Sequence, residues 1–385
     1  MNKKKVIPLS IPNISGNEWK YVKDCLDTGW ISSVGSYVTD FENSVAKFCD
    51  SKYAIATSSG TTALHVSLLI SGVKQNDYVL IPNITFVATA NAVKYCGANP
   101  ILVDANPNTW QLDLDLVEEF LEKSCEFSQN NFLVYKKDQR RISAIVPVHV
   151  QGNMCDMNRL KKISKKYSIN IIEDAAEALG SYFENKSAGT FGLMGCLSFN
   201  GNKTISTGGG GIILTNNKFL ASKAKHLTTT AKKDPIHYFH DEVGYNYRMV
   251  NVLAAIGVAQ MEQLPNFLKR KVFVGEFYRN KLTGIGDISF QQVDNNVISN
   301  NWLFTIKTSF QKKLLKFLNK NGIISRPFWM PMNQLPMYNK CIYLSNHDYS
   351  KNIHKYCISI PSSTFISNDE LEIVVNNIFK FFNEL

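Results

Sequence analysis

One lysine, Lys203, stands between an apolar strand pattern and four consecutive glycines in the stretch SFNGNKTISTGGGG, residues 198–211. Lysines on solvated helix faces need neither a strand before them nor glycines after them. The pattern therefore reads as backbone shaped to deliver one amine. A phosphate loop of the form GxxxxGK[ST] does not fit: Asn202 separates Gly201 from Lys203, and the glycine run follows the lysine. Nor does a GxGxxG dinucleotide fingerprint follow the first strand.

Other residues at the ends of apolar runs carry chemistry of their own. Asp174 closes the run in NIIEDAA, where an unpaired buried carboxylate is costly; a structural ion pair or a helix cap is the plainer alternative to a ligand. In SSGTTALH, Gly60 and Thr61 sit where a glycine turn enters a helix, whose free N–H groups and dipole suit a phosphate, or where a simple N-cap belongs. Phe86 in NITFVATAN has a flat face to cover a ring, though core packing is equally consistent with it. Ser198 and Lys203 follow the sixth strand. Together these residues match the demands of pyridoxal 5'-phosphate. Its aldehyde needs a lysine for a Schiff base, its ring nitrogen a carboxylate, and its phosphate backbone donors.

A parallel sheet is the scaffold that would bring such strand ends together. Seven β-rich segments begin near Tyr53, Asp77, Pro100, Ser143, Asn170, Cys196 and Gly211, and several are continuous Val/Ile/Leu runs, as a sheet covered on both faces requires. Helical patterns alternate with them, which implies an α/β fold: a seven-stranded, mainly parallel sheet with helices on both faces. Ahead of it, SGNEWKYVKDCLDTG reads as a helix with capping-box spacing at Ser15 and Glu18, a shared face of Trp19, Val22 and Leu26, and a stop at Gly29. After Leu264 the pattern shortens into a smaller α+β domain, giving a division into residues 1–264 and 265–385. Residues 123–140 read as an insertion.

The sequence of 385 residues is 44% hydrophobic and 19% charged, ordinary for a globular protein. Its net charge of +10 suits anionic ligands, but the basic residues are dispersed outside MNKKK, which favours a small phosphorylated ligand over nucleic acid. The eight cysteines are scattered without zinc-ligand spacing, so they read as reduced packing residues and no metal site is expected. No secretion signal or membrane-length apolar run is present, and the expectation is a cytoplasmic protein.

Six ordered motifs, SSGTTAL, PNITFVATANAV, VPVHVQG, IIEDAAEALGS, SFNGNKTISTGGGG and GYNYRM, resemble the DegT-type sugar aminotransferases of fold-type I across essentially the whole chain. The opening segment and the FNGNKT form are most similar to the branch acting on UDP-linked 2-acetamido-2,6-dideoxy-4-keto sugars in bacillosamine or legionaminic acid biosynthesis. The resemblance implies that Lys203 bonds the cofactor and Asp174 pairs with the pyridine nitrogen. It also implies that Gly60, Thr61 and Ser198 bind phosphate, Phe86 lies on the ring, and Glu177 sits near the ring hydroxyl, where many members have glutamine. Asn246 would reach the phosphate of a second subunit, with Arg248 close by as a substrate-binding residue, so a homodimer with shared sites is implied; Arg326 is a candidate for the nucleotide arm. Glutamate is the expected donor. A GDP- or dTDP-linked keto sugar is the alternative substrate, and intact Lys203 and Asp174 argue against a non-catalytic regulatory protein.

Overall fold

All seven expected strand segments form in the computed structural model, which describes residues 6–234 and 236–385; the basic MNKKK segment lies outside them. The strands are β1 (Tyr53–Thr57), β2 (Tyr78–Pro82), β3 (Asn99–Val103), β4 (Ile142–Ile145), β5 (Asn170–Asp174), β6 (Met194–Ser198) and β7 (Gly211–Thr215). An eighth, β8 (Tyr343–Leu344), completes a sheet of order β1-β7-β6-β5-β4-β2-β3-β8. Strand β7 pairs antiparallel with both neighbours, and every other pairing in this sheet is parallel.

The continuous apolar runs have the cause expected of them. In β2, Tyr78 and Leu80 enter one hydrophobic core while Val79 and Ile81 enter another, and β7 divides Ile212 and Leu214 from Ile213 in the same way. Period-two alternation between two buried faces leaves no polar position to interrupt the run. Helices α1 (Glu18–Thr28), α2 (Ser36–Cys49), α3 (Gly60–Ile70), α4 (Ala88–Tyr95), α5 (Leu114–Ser124), α6 (Met157–Tyr167) and α7 (Lys218–Thr228) surround the sheet region. Helix α6 shows the logic: Asp156 caps it by accepting from Arg159 N, and Met157, Leu160, Ile163 and Tyr167 form the buried stripe.

The expected boundary after Leu264 falls inside one continuous helix, α8 (Asn251–Leu282), which contains Pro265. Met261, Leu264 and Phe267 pack in a sheet-side core, whereas Val274, Tyr278 and Leu282 join a third core. That third core is built on an antiparallel sheet of Ser289–Phe290, Phe304–Lys307, Cys357–Ile360 and Arg326–Pro327, flanked by helices Gln311–Lys320 and Asn368–Asn383. The chain does not divide cleanly in sequence. Ile7 bridges to Ile323 and packs in the third core, while Met332 and Tyr338 return to the sheet.

One local expectation needs correction. Helix α1 has Asn17 as its N-cap without a side-chain cap, because Glu18 turns inward to accept from Gly16 N and Gln260 Nε2. It packs on α8 through its other side, leaving Trp19 77% and Leu26 60% exposed. The stretch read as an insertion, residues 123–140, holds a hairpin of Cys125–Phe127 and Leu133–Tyr135. All eight cysteines are free and seven are buried, as packing residues would be. Among the described residues no helix is long and apolar enough to cross a membrane.

Candidate active site

At the carboxyl ends of the parallel strands lies a cavity of ≈ 380 Å³ that brings together Gly60, Thr61, Phe86, Asp174, Glu177, Ser198 and Lys203. Its base is the start of α3. Ser59 caps the helix by accepting from Thr62 N, and Thr62 Oγ1 accepts from Ser59 N in return. The amides of Gly60 and Thr61 have no intrahelical acceptor and remain for a ligand. Glycine is needed at position 60 because a Cβ there would lie 2.8 Å from Ser198 Cβ. The close approach of helix and strand end is what places two amides beside a hydroxyl.

Three acids follow one another in IIEDAAE, and the fold gives them different neighbours. Glu173 faces away from the cavity, accepting from the amides of Gly189, Phe191 and Gly192 and contacting His149 Nε2 at 3.0 Å. It is the structural ion the sequence reading weighed for Asp174. Asp174 itself lines the cavity, accepting from Thr89 Oγ1 at 2.7 Å and Ala176 N at 3.2 Å. Burial pushes its carboxyl above the usual range, against the opposing pull of those donors and of Lys203. Glu177 is held by Gln151 N at 2.9 Å and approaches Lys203 Nζ at 3.7 Å. Burial raises its carboxyl to about 7, with Lys203 opposing the shift, so it carries a proton for much of its time near neutrality.

Lys203 follows a turn closed by its own N–H to Asn200 O at 3.0 Å, and its side chain is 12% exposed. Its Nζ lies 4.1 Å from the ring centroid of Trp302. Trp302 and Trp329 both line the cavity and stack with centroids 6.3 Å apart. Neither tryptophan was singled out from sequence. Trp302 lies in an irregular stretch with no periodic signal, and Trp329 belongs to the RPFWMPM segment in which Arg326 drew attention instead. Thr89 was also missed, although its place in the first turn of α4, three residues after Phe86, was a usable signal.

Three expected residues are not in this cavity. Arg248 is the most decisive: its guanidinium pairs with buried Glu42 and donates to Ala56 O, which ties it to the junction of α2 and β1. Reaching a substrate would leave Glu42 buried without its cation. Asn246 bridges to Thr229, and Arg326 is exposed on a small edge strand with Nη1 donating to Ser325 O. Phe86 is at the cavity rim and 54% exposed.

The sequence signature of the DegT/DnrJ/EryC1/StrS aminotransferase family matches residues 12–379. The chain belongs to that family. It is similar to a GDP-perosamine synthase of Escherichia coli O157:H7, 35% identical over 99% of this chain and 100% of the relative. A GDP-perosamine synthase of Caulobacter vibrioides is 37% identical over 86% of each chain. Among solved structures, Helicobacter pylori PseC, an aminotransferase involved in the biosynthesis of pseudoaminic acid, shares the fold with a TM-score of 0.88 at 23% identity, covering 99% of this chain and 100% of that one. This aminotransferase is pyridoxal phosphate-dependent, as its family is. The cavity fits the cofactor: free helix-start amides beside Ser198 for a phosphate, a buried carboxylate for a ring nitrogen, and one amine for the aldehyde.

Proposed function

We propose that this aminotransferase moves an amino group from L-glutamate to C4 of a GDP-linked 4-keto-6-deoxy sugar in surface-glycan biosynthesis. The similarity to two GDP-perosamine synthases, at 35% and 37% identity, carries the choice of nucleotide. The UDP-linked N-acetylated sugar of the legionaminic acid or bacillosamine type, favoured by the opening segment and FNGNKT, becomes the second reading.

When bound, pyridoxal phosphate supplies the aldehyde that takes up the amino group and a ring that withdraws electrons from the reacting carbon. In this reading the Gly60 and Thr61 amides and Ser198 hold its phosphate, Phe86 covers its ring, and Asp174 keeps a proton at its ring nitrogen. A cationic nitrogen beside Asp174 would offset the burial that raises its carboxyl. Lys203 would bond the cofactor's aldehyde through Nζ and, when not so bonded, would move a proton at that atom to and from the reacting carbon. Glu177 near the ring hydroxyl is accommodated by its ability to stay protonated. Residues up to 264 provide these contacts, and residues 265–385 provide the tryptophan wall.

The functional unit in this proposal is a homodimer. Asn246, outside its own cavity, would reach the phosphate in a second copy, with Arg248 fixing its loop through Glu42. The exposed apolar residues Trp19, Leu26, Trp30, Ile31 and Val34 support burial against that copy. Mixing Lys203→Ala protein with an inactive Asn246→Ala variant should restore activity through one intact site per heterodimer; no recovery after verified subunit exchange would rule out shared sites.

The substrate is tested by incubating holoenzyme and glutamate with GDP-, dTDP- and UDP-linked 4-keto-6-deoxy sugars, the last with and without the 2-acetamido group. Turnover of the GDP sugar at the highest kcat/KM is the expected result. Preference for the N-acetylated UDP sugar would reinstate the second reading and leave the aminotransferase assignment untouched.

A further inference from the structure

Trp302 is held from four directions. Its backbone N–H donates to Asn300 Oδ1 at 2.9 Å, and its carbonyl accepts from Lys271 Nζ at 2.7 Å. Its Nε1–H donates to Asn202 O at 2.8 Å, and its ring face meets Lys203 Nζ at 4.1 Å from the centroid. Lys271 is itself buried and also donates to Ser362 O, so a buried amine from α8 fixes the backbone beneath the indole. Asn300 extends the same brace to the acidic side of the cavity, because its Nδ2 donates to the carbonyls of Glu177 and Leu179, each at 2.9 Å. A side chain restrained this completely is pre-organised for something, and what it faces is the amine of Lys203.

We propose that Trp302 is a positioning residue for Lys203, holding its ammonium within the cavity while the lysine is not linked to the cofactor. The inference rests on the role given to Lys203 above. A linked lysine is fixed by its covalent bond. A released one has a flexible four-carbon stem and keeps its place only through non-covalent contacts. The structure supplies two, Glu177 Oε1 at 3.7 Å and the Trp302 face. Glu177 is an intermittent partner, since its carboxyl is protonated for much of the time at neutral pH. The indole is a permanent one.

The grip is also selective for the state that needs it. An aromatic face attracts the ammonium through its quadrupole and has no such attraction for a neutral amine. The attraction therefore grows as Nζ takes the α-proton from carbon and lapses once that proton is delivered back to carbon, so both transfers feel it. The bond from Nε1 to Asn202 O adds register, because it ties the indole to the residue immediately before the lysine. Ring and lysine segment are thereby tied directly to one another.

The test uses Trp302→Phe and Trp302→Leu holoenzymes in the half-reaction with glutamate alone, so that the identity of the sugar has no bearing on the result. Cofactor absorbance is followed with ordinary and α-deuterated glutamate. The leucine variant should react roughly tenfold more slowly, with a larger primary isotope effect and a glutamate KM within about twofold of wild type, while phenylalanine should retain most of the rate. A second measurement does not need turnover: pyridoxal phosphate added to cofactor-free protein should link more slowly in the leucine variant, and borohydride reduction with peptide mapping should still locate the label on Lys203. A label on another lysine would overturn the role of Lys203 itself. With the label on Lys203, a leucine variant of wild-type rate and isotope effect, or a phenylalanine variant as impaired as leucine, would overturn the role of Trp302.

Discussion

The cavity has two walls of different origin. One is built from strand ends and helix starts of the parallel sheet: Gly60, Thr61, Asp174, Ser198 and, just beyond β6, Lys203. The other comprises Trp302 and Trp329, carried by irregular backbone and braced by Lys271 and Asn300. The sheet wall gets its precision from repeated ladder hydrogen bonds, whereas the tryptophan wall gets it from a few individual ones. The first should therefore set whether chemistry happens, and the second how well its groups are timed and held.

Lys203→Ala is the sharpest way to break that division. Turnover should fall by about 10³-fold or more, because both the covalent anchor and the proton carrier are lost. Cofactor binding should survive in weakened form through the phosphate cradle, measurable by equilibrium dialysis of pyridoxal phosphate. Loss of all binding would show that the cradle has no independent hold. Against this, the tenfold effect expected of Trp302→Leu is small, and finding the two comparable would erase the distinction between the walls.

The effect expected at Glu177 is on stability instead of turnover, and its sign follows from proton linkage. Its folded-state carboxyl is raised from 4.5 to about 7, so the folded protein holds a proton that the unfolded chain releases. Stability from this group is complete below the unfolded value and is lost as pH rises toward about 7. Cofactor-free Glu177→Gln should match the parent near pH 4.5 and exceed it at pH 8, by up to about 3 kcal/mol. Thermal unfolding at both pH values checks this, and an advantage present equally at both would assign the gain to something other than titration.

The same contrast explains what could be read from the sequence. Strands β1 to β7 were legible because burial on two faces forces unbroken apolar runs, and a parallel sheet makes the residue after each run a site candidate. Lys203, Asp174 and Gly60 were found by that rule. Strand β8 was too short to show a pattern and pairs with a strand distant in sequence. Trp302 could not be found because nothing local distinguishes it from a core tryptophan; its significance lies in the amines of Lys203 and Lys271 and the carbonyl of Asn202, brought near by tertiary folding. Arg248 drew attention by its motif, while its partner Glu42 sits on α2 with no sequence mark of the pairing. The face of Trp19 and Leu26 was legible as a face, but periodicity does not say which surface covers it.

The bridge between Ile7 and Ile323 has a consequence for the order of events on the ribosome. Ile7 is synthesised long before its pairing partner Ile323 and before the rest of the core around it, which begins at Val274. Strands β1 to β7 can assemble while synthesis continues, since domains generally form as their segments become available. The segment around Ile7 must stay unpaired throughout, and its apolar surface is then exposed to other nascent chains. Slowing elongation would lengthen that exposure, which makes this segment, far from the cavity, the place where a chaperone that shields nascent chains would have the most to do.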